Sequence, residues 1–145
     1  MIFFESFETR LAGWVALRQE IEDHPDPFNH AIAFWNKAPI SPRSCDPFDK
    51  ESWPKAWDLI EENKFCDFSK ILAMYYTFLL TDRYKDSYYE IRIVNDRKEH
   101  RMMYLLIIDG NVIGYDYKNV VNIVDLPKGL TTQSSHVMMY DEDLR

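Results

Sequence analysis

The stretch Asn63-Lys64-Phe65-Cys66-Asp67-Phe68-Ser69-Lys70-Ile71-Leu72 places a cysteine where a loop turns into an apolar helix. A helix N-terminus carries unpaired N–H groups and partial positive charge. A thiol held there ionises more readily than a free one, and the thiolate is the reactive form. Cys66 is therefore the first candidate for chemistry. The apolar spacing of Phe68, Ile71, Leu72, Tyr75, Phe78 and Leu79 predicts a helix from about Asp67 to Leu80 with a broad apolar face. A buried helix is a rigid mount for a nucleophile. Asp67, beside the thiol, reads first as a cap for its own helix.

Upstream, Glu5 to about Glu22 reads as a helix with Phe7, Leu11, Trp14, Val15 and Ile21 largely on one face and Arg18 along its edge. Pro25 and Pro27 stop it. Asp26 and Pro27 then open a second helix, to about Asn36, with Phe28, Ile32 and Trp35 inward. Residues 37–52 are irregular, with Pro39, Pro42 and Pro47, and a loop of that length is functional or poorly ordered. It carries Cys45, whose neighbour Asp46 disfavours a thiolate, so Cys45 ranks below Cys66 and reads as a partly covered spare thiol. A third helix begins at Ser52 or Trp53 with Pro54 near its first turn. Trp53, Trp57 and Ile60 recur at helical spacing, which makes both tryptophans core residues.

The second half turns to strands. Tyr88 to Val94 alternates apolar and charged residues, and Arg101 to Ile108 is the most apolar run, a candidate sheet centre. Asp109-Gly110 is a strong hairpin signal, and Asn111 to Tyr117 returns as the next strand. Val120-Val121 and Ile123-Val124 suggest one more short strand, His136 to Tyr140 an edge strand, and Asp141 to Arg145 a frayed end. The fold class is α+β: one domain over residues 1–145, with helices over about 5–80 packed on an antiparallel sheet over about 88–140.

His100 opens the central strand and Asp116 lies on the strand after it. Register decides whether they meet. With Asp109-Gly110 alone as the loop, Ile108 pairs with Asn111 and His100 lies opposite Asn119. With a three-residue loop, Ile108-Asp109-Gly110, Met102 lies opposite Asp116, and His100 and Asp116 become diagonal neighbours on one face. The three-residue register is the expectation, with Asn119 as the substitute third member.

In this order, Cys66-Asp67 with Ser69, His100, Asp109-Gly110 and Asp116 resemble the transglutaminase-like superfamily of papain-type cysteine enzymes, over Trp57 to Val121. The resemblance implies a transglutaminase-like core. It also implies that His100 takes the Cys66 proton, that Asp116 orients the imidazole, and that the thiolate attacks a peptide or carboxamide carbonyl. The Cys66 backbone N–H would help hold the oxyanion, with Trp57 and Asn63 as further donors in the cleft. The function implied is a thiol-dependent hydrolase or acyltransferase, a cysteine peptidase among them, acting on a peptide or protein substrate. The stretch Asp46-Pro47-Phe48-Asp49-Lys50-Glu51-Ser52-Trp53-Pro54 also resembles uncharacterised small proteins of tailed bacteriophages. The alternative is accordingly a non-catalytic, phage-encoded binding module on the same scaffold that engages a host protein. The enzyme needs the Cys66 sulfur within hydrogen-bond reach of His100 in an open cleft; the binding module buries Cys66.

Composition bounds both readings. A net charge of −7 over 145 residues argues against a nucleic-acid partner. Nine Tyr and nine Phe supply ample core area. Two cysteines without a disulfide framework fit a reducing cytoplasm, the host's if the chain is phage-encoded. No apolar run is long enough for a bilayer span, and Glu5 and Glu8 break any signal-peptide reading of the start. His24, His30, His100 and His136 form no spaced metal motif with the cysteines, and no glycine-rich phosphate loop is present, so neither metal nor cofactor is expected.

Overall fold

The Ser6 hydroxyl accepts a hydrogen bond from the Thr9 N–H at 3.3 Å, and this cap starts the first helix. The computed structural model describes residues 1–43 and 45–138. In it the helices are α1 (Phe7–Ile21), α2 (Pro27–Trp35), α3 (Ala56–Glu62) and α4 (Asp67–Leu79). The strands are β1 (Tyr89–Asp96), β2 (Arg101–Ile108), β3 (Asn111–Ile113), β4 (Val121–Asn122) and β5 (Leu130–Met138). They form one antiparallel sheet in the order β4-β3-β2-β1-β5. The chain is therefore α+β, and β2 is the central strand, as its apolar sequence suggests.

Helix α4 is buried along its whole length except at Asp67. The other helices surround one side of it, and the other side meets Tyr89, Ile91 and Ile93 of β1 and Tyr104, Leu106 and Ile108 of β2. One hydroxyl ties three helices together. Thr77 of α4 accepts hydrogen bonds from the indole N–H of Trp14 at 2.9 Å and of Trp35 at 3.1 Å, and donates to the Ala73 carbonyl. Each tryptophan so buries its ring without orphaning its N–H. Arg18 runs along the edge of α1 as expected, its guanidinium 4.4 Å from the Trp14 ring centroid. The opposite face of the sheet, with Val94, Met103, Leu105, Ile107 and Val112, is covered by Tyr115, Val121, Ile123, Leu126 and Leu130.

Several boundaries differ from the sequence reading. Helix α3 starts at Ala56, not at Ser52 or Trp53, and Pro54 lies in the approach to it. Trp53 is buried, but Trp57 is 53% exposed and only rests edge-on against Trp14. The Asp109-Gly110 hairpin has a two-residue loop, because Ile108 pairs with Asn111. Both loop residues have positive φ, 47° and 84°, as a type I′ turn requires. The three-residue register is thus corrected. Strand β3 stops at Ile113 rather than Tyr117, because Gly114 turns the chain away at φ +109°. Residues Ile123–Asp125 form a 3-10 turn rather than a strand. The edge strand begins at Leu130, six residues or so before His136, and pairs with β1 through a bulge at Ile93/Val94. The expected end of that strand at Met139-Tyr140, and the frayed Asp141–Arg145, lie outside the described residues. No helix among the described residues is long and apolar enough to cross a membrane.

Candidate functional site

Cys66 is the N-cap of α4, with extended backbone at φ −76°. Its sulfur accepts a hydrogen bond from the Ser69 N–H at 3.4 Å, and the Ser69 hydroxyl accepts one from the Cys66 N–H at 2.8 Å. This is a reciprocal capping box with sulfur in the place usually held by a hydroxyl. Asp67 is not the cap; its carboxylate accepts from the Phe68 N–H at 2.8 Å in the first turn, where negative charge complements the helix dipole.

The Cys66 side chain is 1% exposed. Ile40, Ser41, Arg43 and Cys45 meet the chain at Phe65 to Asp67 on either side of it. Ile40 makes a parallel bridge to Phe65, and the Ser41 N–H donates to the Phe65 carbonyl at 3.0 Å. Arg43 pairs with Asp67 at 3.5 Å and lies over the Tyr104 ring. Cys45 lies beside the Cys66 side chain. That contact first, and then burial, pushes the Cys45 thiol far above its ordinary value, with Asp46 adding only a minor push.

The other members of the expected triad sit elsewhere. His100 is exposed in the tight turn between β1 and β2, in left-handed backbone at φ 52°. Among the described residues, no hydrogen bond or ion pair joins His100 to Cys66 or to Asp116. Asp116 is exposed in the loop after Gly114, where its carboxylate accepts from the N–H groups of Lys118 at 2.8 Å and Asn119 at 3.2 Å. Asn119 is exposed in that same turn. With β3 ending at Ile113, neither Asp116 nor Asn119 is paired with β2. The Asn63 amide donates to the Phe3 carbonyl at 2.8 Å, which ties the chain start to the end of α3. Trp57 packs on Trp14.

No protein-family model matches the chain, and neither does any curated protein or any solved structure.

What the fold does gather is a pocket of about 220 Å³ between α2, α4 and the β2–β3 edge. Ile32, Ile71, Met74, Met102 and Ile113 give it apolar walls, and Asp67, Asp116 and Tyr104 also line it. Two asparagines fix its outer wall. Asn36, at the C-terminal cap of α2, donates to the Tyr117 carbonyl at 2.7 Å, and Asn29 of α2 accepts from the Val120 N–H at 2.7 Å. Gly114 is required at the inner edge, because a Cβ there would lie 2.2 Å from the Tyr104 carbonyl oxygen.

Lys70 lines the same pocket and is only 6% exposed. Burial lowers its affinity for a proton below that of an ordinary lysine. Among the described residues, its ammonium has no hydrogen-bond or ion-pair partner. Sequence reasoning passed over it, although a signal was present: Lys70 is the one cation in the otherwise apolar helix that follows Asp67. Among the described residues, no group of three or more His, Cys, Asp or Glu side chains is placed to hold a metal ion.

Proposed function

We propose that this chain is a non-catalytic binding module for a small apolar ligand, and that its site is the pocket between α2, α4 and the β2–β3 edge. The carrying observation is one of placement. The open cavity lies beside the head of α4, while the Cys66 thiol is 1% exposed. A thiol nucleophile needs a base within reach and room for a carbonyl. Here the sulfur serves as a helix cap and lies beside Cys45. The pocket has what a small-ligand site generally has, mostly apolar walls with a few convergent polar groups. A cysteine-headed helix laid on an antiparallel sheet supports a transglutaminase-like scaffold; on this reading the chain keeps that layout while its cysteine has become structural.

Nile red, an uncharged apolar dye, tests the site. Its emission should rise and shift to the blue with the wild-type protein. The response should persist in Cys66→Ser and fall sharply in Met102→Asp, which puts a charge on the exposed rim. A response absent from the wild type, or unchanged in Met102→Asp, would contradict this placement of the site.

A further inference from the structure

We propose that the Lys70 ammonium is the recognition group of this pocket and that its ligand is a monocarboxylate with an apolar body. The inference rests on the binding-module reading and names the ligand class. An ammonium removed from water without a partner is costly, and proteins ordinarily pair such a group or leave it at the surface. Lys70 is 6% exposed, and its ammonium has no hydrogen-bond or ion-pair partner among the described residues. It lies against a cavity, so an entering anion can supply the partner that the protein does not. The walls provided by Ile32, Ile71, Met74 and Met102 then suit an aliphatic or aryl body.

The rest of the site selects a single negative charge. Asp67 and Asp116 also line the pocket, and both carboxylates are engaged, Asp67 with Arg43 and Asp116 with two backbone N–H groups. Their charges oppose a phosphate dianion. A phosphate also calls for several converging donors, and Lys70 offers one ammonium. The N–H groups of Cys66 and Ser69 at the head of α4 are already taken by the capping box. A carboxylate needs only the one ammonium, and its bond strengthens as the apolar body excludes water.

Calorimetric titration with octanoate and with octanamide, its uncharged isostere, decides the matter on the intact chain. Octanoate should bind the wild type about tenfold more tightly than octanamide, or better, the ratio one charge-assisted hydrogen bond supplies. In Lys70→Met and Lys70→Gln that preference should vanish while Nile red still binds. Equal affinities for the two ligands in the wild type would overturn the assignment of Lys70, and so would a preference that survives both substitutions. If Nile red binds and octanoate shows no preference, the carboxylate inference fails and the binding module stands. If none of the three probes binds, both fail. The wild-type comparison carries the result even if one variant does not fold.

Discussion

Thr77 shows how much one side chain carries in this core. Its hydroxyl serves the indoles of Trp14 and Trp35 and the Ala73 carbonyl at once. Thr77→Val keeps the shape and orphans two buried N–H groups, so it should cost about 2–4 kcal/mol in chemical denaturation. Lys70 carries the opposite sign. Its proton affinity is lowered by burial, so the folded state bears the cost of the charge at neutral pH. Lys70→Met should therefore stabilise the protein, read as a higher midpoint in chemical denaturation at neutral pH. The gap to wild type should close as pH rises through the lowered Lys70 value toward that of a free lysine. A lysine retained at such a cost fits a functional residue. At this scale the sequence was half legible. Capping is local, so Cys66 could be placed at the head of α4 from its neighbours alone. Its burial belongs to the packed core and to the contacts that Ile40, Ser41 and Arg43 make with Phe65 and Asp67 from far away in the chain, and no local pattern reports that.

Elements were legible where periodicity was strong. The sequence places α4 and β2 to within a residue of their observed bounds. Turn chemistry proved the harder part. Asp109 and Gly110 both accept positive φ, which selects the two-residue loop and shifts every pairing beyond it by one. Gly114 then ends β3, an effect set by the Tyr104 carbonyl across the sheet rather than by its own neighbours. Gly114→Ala should lower stability by about 2 kcal/mol or more in thermal melts, through strain at positive φ and the clash with Tyr104. In the sheet, burial alone would raise the Glu90 carboxyl. Hydrogen bonds from Arg92 and Ser135, together with the Arg92 charge, reverse that and hold it below the ordinary value. A carboxyl lowered by folding stabilises above its unfolded value, near pH 4, and that contribution is lost as pH falls through the folded value. Wild-type melting temperature should thus fall more steeply than that of Glu90→Gln between about pH 5 and pH 2.

For the whole molecule, the two layers follow from composition and order, with apolar helices first and strands after. The placement of the functional site does not follow, because it depends on how residues 37–52 fold back. That loop meets the chain at Phe65 to Asp67 and places Cys45 beside Cys66, while the open cavity forms on the adjoining flank from α2, α4 and the β2–β3 edge. The residues that looked like a triad are thereby distributed to a buried cap, an exposed turn and a loop at the pocket wall. Iodoacetamide alkylation of native protein across pH 6 to 9, with each cysteine followed by peptide mass spectrometry, tests this most directly. Cys66 should remain unmodified until the protein is unfolded, with or without His100→Ala. Rapid alkylation of Cys66 below pH 8 that His100→Ala abolishes would reveal a thiolate–imidazolium pair and contradict the account.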